Sequence, residues 1–264
     1  MTKETAAKAK NGEMRGIGAL RVLGSHLDAI AFPHLSRPDD TVEMPKSKGI
    51  VQWGICVYVY SVISHLRMMV RGLLLLGVDG NSPATAPIAR NVFEWTAATC
   101  FLTEKMRVHL ENDNWDGAWG TLSSFMVGSG WIKRYGTLYP EFGIKPRDVL
   151  VPPGTTKLVA SYQRFFEKQG YKMDACEEYS HLCDNSHTTS VVLARYRNRP
   201  TSPNITTFKL NLEEERAASF LPIANVNLLH AFLFFDTLLD CAEEVVVRPA
   251  LVAALRAGMD WQSS

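Results

Sequence analysis

The sequence predicts an all-α protein, a single helical bundle of about seven or eight helices with at most one short strand. Apolar residues recur at steps of three and four over most of the 264 residues. Pro, Gly, Asn and Asp gather in a few short stretches between those periodic runs. Only Thr206 to Leu212 alternates with period two, through Phe208, Leu210 and Leu212. A lone strand is marginal without a partner, and an extended arm fits that segment equally well.

Taken in order, Glu13 to Ile30 reads as a first helix with Ile17, Leu20, Leu23 and Leu27 at helical spacing, and residues 1–12 are expected to be flexible. Pro33, Pro38 and Pro45 make residues 32–49 a surface loop. A long helix follows from about Ile50 to Leu76 and stops at Gly77. The turn-rich DGNSPATAP feeds a third helix, with Thr85 as cap and Pro87 at the first helical position. Ile88, Val92, Trp95, Thr99, Leu102 and Met106 mark its buried stripe, and it ends near Glu111. A fourth helical stretch, Asp113 to Leu138, is weakened by Gly117, Gly120, Gly128 and Gly130.

Residues 140–154 hold four prolines and read as a surface loop rather than a linker, because the sequence on both sides has the same composition. Thr155 to Lys168 is a fifth helix. Asp174, with Glu177 three residues on, opens a sixth that should run to about Arg197. Glu213 to Val247 is helical with Pro222 as kink or break, and its second part is apolar nearly all round, hence central. Pro249 to Trp261 closes the chain, and residues 1–264 read as one domain.

The charge balance is +1, with 46% hydrophobic and 21% charged residues, the profile of a globular chain. Near-neutrality argues against a strong nucleic-acid or polybasic membrane footprint. The first fifteen residues carry lysines and acids without an apolar core, so no secretory signal is expected. Five scattered cysteines read as free thiols, and the expected location is the cytoplasm. Ile50 to Ile63 falls short of the roughly 18 uninterrupted apolar residues of a membrane span, and Asp236 interrupts Leu228 to Leu239. Both are expected to be central helices of a soluble bundle, with no membrane contact.

Two helices carry the candidate site. Arg90 and Glu94 lie one turn apart on the third helix, in the less favourable order for a helix pair. With Arg90 near the positive end of its helix, a tertiary partner is expected to hold both side chains. On the sixth helix Cys176, Tyr179, Cys183 and His187 share one face, with Ser180 and Ser186 beside it. Burying such a face demands hydrogen-bond partners, since each unpaired buried group costs roughly 1–3 kcal/mol. Arg90 and Glu94 are the suppliers if the two helices meet; otherwise the face points to water.

The segment ARNVFEW (Ala89 to Trp95) resembles the Arg-x-x-x-Glu helix of a bacterial family, domain of unknown function fifty-six seventy-seven. YSHLCDNSH (Tyr179 to His187) is similar to that family's Tyr-x-x-x-Ser-x-x-x-His signature, with Cys183 where the family usually has Ser. The resemblance covers about residues 50 to 247 and implies a shared fold and a polar centre of Arg90, Glu94, Tyr179 and His187, without a reaction. More loosely, the layout resembles helical HEPN ribonucleases of toxin–antitoxin and phage-defence systems. Their Arg–polar–His pattern is met neither after Arg90-Asn91, where the next histidine is His109, nor in Arg21 to His26, whose second residue is apolar.

Glu178-x-x-His181 has di-iron spacing but occurs once where such bundles need it twice. Cys176, Cys183 and His187 on one straight helix wrap a tetrahedral ion poorly. No metal and no cofactor are expected, and His34, His65, His109 and His230 read as core or surface residues. No phosphate-binding glycine loop, dinucleotide fingerprint or nucleophile elbow is present. The expected function is therefore an interaction or regulatory module with a buried Arg/Glu/Tyr/His cluster. The competing expectation is a metal-free ribonuclease with His187 as acid/base and Arg90 stabilising phosphorane charge. It would need an open cleft with nearby cations such as Arg67, Arg71 or Arg195. The partner would be a protein or an RNA, and a homo-oligomer is compatible with the sequence.

Overall fold

The computed structural model describes residues 3–36, 38, 48–78, 82–127, 153–186 and 217–263. Among them 85% are helical, in eight helices with no strand, so the all-α expectation holds. In chain order these are α1 (Lys3–Ala29), α2 (Lys48–Val78), α3 (Ser82–Glu111), α4 (Trp115–Val127), α5 (Thr155–Lys168), α6 (Ala175–Ser186), α7 (Ala217–Cys241) and α8 (Arg248–Ser263).

The centre of the bundle is α3, which packs against α2, α4, α5, α6 and α7. Its expected stripe is only part of its buried surface. Val92, Thr99, Leu102 and Met106 are buried, but so are Ala86, Ala89, Phe93, Thr96, Ala97 and Cys100. Alanines and threonines let neighbouring helices approach from several sides, so α3 is walled in nearly all round. The second central helix, α7, contributes Phe232, Phe234 and Phe235 to the core and packs on α1, α2, α3 and α8. By length and composition α2 and α7 could each cross a membrane; here both supply core. Glycine matters for one close approach: a Cβ on Gly54 of α2 would stand 2.8 Å from both Leu122 and Trp119 of α4.

Several boundaries differ from the sequence reading. The first helix begins at Lys3, ten residues before the expected start at Glu13. The third starts at Ser82, which places Pro87 inside the helix. Pro83, the second helical residue, occupies the early position expected of Pro87, where a missing N–H costs nothing. Thr85 is accordingly a fully buried helical residue and not a cap. Helix α7 runs through Pro222 and stops at Cys241, six residues before Val247. The Glu244 carboxylate then accepts backbone N–H bonds from Val246, Val247 and Arg248, starting α8.

Residues 31–36 and 153–154 have no regular structure, as expected of the two loops. The proposed strand at 206–212, the continuations 128–138 and 187–197, and most of loop 140–154 lie outside the described residues.

Candidate functional site

The turn before α6 is what aims its side chains. Helix α5 ends at Lys168, and two residues on Gly170 has a φ of +82°, the left-handed conformation glycine adopts without strain. There Gly170 N–H donates to Glu167 O and Tyr171 N–H to Phe166 O, the paired bonds of a Schellman stop. Asp174 restarts the chain as a helix, its Oδ1 accepting the Glu177 N–H at 2.9 Å, as its spacing from Glu177 predicts. Gln163 of α5 accepts the Cys176 N–H at 3.2 Å and ties the two helices together at that corner.

Helix α6 then lies on α3 and α5 with Ala175 and Leu182 fully buried. This register places Tyr179 between them and over α3. It leaves Cys176 exposed and Cys183 half-buried, so the face expected to hold Cys176, Tyr179 and Cys183 together is split. The cause is Leu182, a buried apolar anchor one position before Cys183, which rotates the buried face away from Cys176. Ser180 is exposed, and Ser186 donates back to Leu182 O at 2.6 Å.

Three of the four candidate residues meet. Arg90 Nε donates to Glu94 Oε1 at 2.9 Å, and Tyr179 Oη donates to the same carboxylate oxygen at 2.7 Å. A terminal guanidinium nitrogen of Arg90 donates to Tyr179 Oη at 3.2 Å, closing the triangle. The guanidinium carbon stands 5.6 Å from the centroid of the Tyr179 ring, which also packs 5.7 Å from the Phe93 ring. His187 lies outside the described residues, one position beyond the described end of α6.

The cluster is a rim feature, with side-chain exposures of 24% at Arg90 and 31% at Glu94, so neither charge is fully withdrawn from water. Partial burial pushes the Tyr179 phenol above its ordinary value, and the bonds to Glu94 and Cys183 push the same way. Tyr179 is therefore a protonated donor at any physiological pH. At Arg90 partial burial works against the charge, but the Tyr179 bond and the Glu94 attraction outweigh it. Because the helix starts at Ser82, Arg90 lies beyond the first turn, where the dipole argument loses force. The reversed pair order remains, and Tyr179 is the tertiary partner it called for.

Two of the three cations that an RNA cleft would recruit, Arg67 and Arg71, are used elsewhere. Arg67 of α2 donates to Leu27 O at 2.6 Å and to Ile30 O, satisfying carbonyls at the end of α1, and covers the Phe32 ring. Arg71 pairs with Asp28 at 2.9 Å. Arg195 lies outside the described residues. Among the described residues no three His, Cys, Asp or Glu side chains converge as metal ligands. His181 of the di-iron-like pair stacks on Phe220 of α7, ring centroids 5.5 Å apart.

A second polar cluster, on the other side of Phe93, was not anticipated. Tyr162 of α5 is fully buried; its hydroxyl donates to Asn227 Oδ1 at 2.9 Å and lies 2.5 Å from His230 Nδ1. The Asn227 amide nitrogen donates to Ile223 O at 2.8 Å, which fixes which end of the carboxamide faces Tyr162. Thr96 of α3 reaches Asn227 O at 3.0 Å. Tyr162 has one proton and gives it to Asn227, so the third member of the row, His230, must donate through Nδ1–H. Burial draws the His230 imidazole down to about 4, so it is neutral near pH 7. The detectable signal is Asn227 and His230, three apart on a largely apolar helix.

Comparison of the chain with protein-family models, curated proteins and solved structures finds no match.

Proposed function

We propose that this protein is a helical interaction or regulatory module in which Arg90, Glu94 and Tyr179 form a structural clamp that seats α6 on α3. One observation carries this reading: guanidinium, carboxylate and phenol are bonded to one another in a closed triangle. A catalytic arginine would point its donors at the site of developing charge. Surface chemistry supports the interaction role. An open groove of about 500 Å³ between α3, α5 and α7 has Phe165 and Phe234 in its lining, with exposed Val108 and Leu233 beside them. The same reading keeps the family resemblance, and with it a bacterial source, and places the protein in the cytoplasm on the strength of its free thiols. The partner in this reading is another protein.

The test compares Arg90→Ala and His187→Ala with the parent in thermal melting and in an RNA-degradation assay. The clamp predicts a melting temperature lowered by about 2–4 °C per kcal/mol lost for Arg90→Ala, with no RNA cleavage by the parent. A parent that cuts RNA, and variants that fold normally but no longer cut it, would replace this reading with the metal-free ribonuclease.

A further inference from the structure

Helix α5 rests mainly on α3 and α6. It reaches α7 through long side chains: Tyr162 bonds Asn227 and His230, and Phe165 and Phe166 pack on Phe234 and His230. Of this set only His230 changes charge in the acid range. Its ring lies 4.4 Å from Phe166 and 5.9 Å from Tyr162, centroid to centroid.

The bond to Tyr162 survives protonation, because Nδ1–H remains a donor; the new proton goes to Nε2. What changes is that the ring becomes a cation in a contact that withdraws it from water. The titratable group facing it from α5 is Tyr162, and beyond that ring stand Cys100 of α3 and Glu178 of α6, which act on Tyr162. Glu104 of α3 is occupied by Ser161 and Lys168. Among the described residues, the other polar contacts along α7 or just past its end lie away from His230: Asn225 bonds Gly16 O of α1, Arg248 of α8 binds Asp236 and Asp240, and Lys48 of α2 binds Glu243 beyond the end of α7. Partial burial is accordingly the cause acting on the imidazole, and among the described residues no carboxylate offsets it.

We propose that His230 is an acid-operated latch, whose protonation expels the ring from the α5–α7 contact and frees α5 from α7 while α3 and α7 stay packed. This goes beyond the clamp reading and does not depend on it. The closed contact is intact above the ordinary histidine range and is lost as pH falls, because the open state takes up the proton more readily. With an open-state value of 6.5 and a closed-state value of about 4, the opening constant at pH 5 is roughly 20-fold that at pH 7.

Amide hydrogen exchange of the full chain at pH 7 and pH 5, corrected for intrinsic rates, reads this directly. The latch predicts that opening across residues 155–168 rises by about that factor, that α3 and α7 do not follow, and that His230→Gln abolishes the rise. The imidazole resonances of the parent should titrate well below the ordinary histidine value, a measurement that needs no variant to fold. An ordinary titration, an equal rise in His230→Gln, or α3 and α7 opening together with α5 would each overturn the proposal.

Discussion

Phe93 separates two polar clusters built from different materials. On one side Arg90 and Glu94 keep their charges at the rim, where water shares the solvation and Tyr179 closes the set. On the other, Thr96, Tyr162, Asn227 and His230 are all neutral near pH 7, and the bonds run in one direction from imidazole to phenol to amide to backbone carbonyl. Removing a charge from water costs several kcal/mol, whereas a hydrogen-bonded neutral group costs little. The deeper contact, reaching α7, uses neutral groups; the shallower one, seating a short helix, keeps ions. The rim clamp should therefore respond to salt and weakly to mutation, and the buried row strongly to mutation and to acid.

The largest effect is expected at Tyr162. Tyr162→Ala removes a fully buried ring touching Phe93, Phe166, His230 and Phe234, and should cost about 3–5 kcal/mol in urea or thermal unfolding. Tyr162→Phe keeps the packing but leaves Asn227 Oδ1 and His230 Nδ1–H without their partner, and should cost about 1–3 kcal/mol. If the two variants were equally mild, the row would contribute no more than the rim.

Acid should separate the clusters next. His230 is held below its unfolded value, so its neutral form stabilises the fold fully above about pH 6.5, and that contribution fades toward pH 4. The loss across this window is on the order of 3 kcal/mol. The contribution is isolated by the difference between parent and His230→Gln in stability measured along the same pH series. A parallel pair of curves would mean that His230 contributes no acid sensitivity.

The sequence made the rim cluster visible and left the buried one hidden, for a physical reason. Arg90 before Glu94 is locally unfavourable, and a helix face with Tyr179 and Cys183 is short of apolar residues, so each is conspicuous within its own segment. Asn227 and His230 become a site only once Tyr162, 65 residues away from Asn227, is placed across from them. The same division holds for the fold. Helical period and turn residues gave the bounds of α5 and the end of α3, because those signals are local. The start of α3 was misplaced because Pro83 and Pro87 are equally good first-turn residues. The breadth of its buried surface escaped because alanine and threonine do not announce burial in a periodic pattern.

The smallest effect belongs to the rim. Tyr179→Phe leaves the Arg90–Glu94 pair in place and removes one donor to a partly hydrated carboxylate, which should cost about 1 kcal/mol. Glu94→Gln keeps an acceptor but discards the ion pair, whose worth at this exposure is about 0.5–1 kcal/mol. Because the surviving charge of Arg90 keeps access to water, neither variant should show the penalty of a buried unpaired ion. The salt dependence is the sharper readout: the stability gap between Glu94→Gln and parent should shrink as ionic strength rises, while the gap for Tyr162→Phe stays constant. Equal salt sensitivity at both positions would show that the two clusters share one electrostatic environment, and the contrast drawn between them would fail.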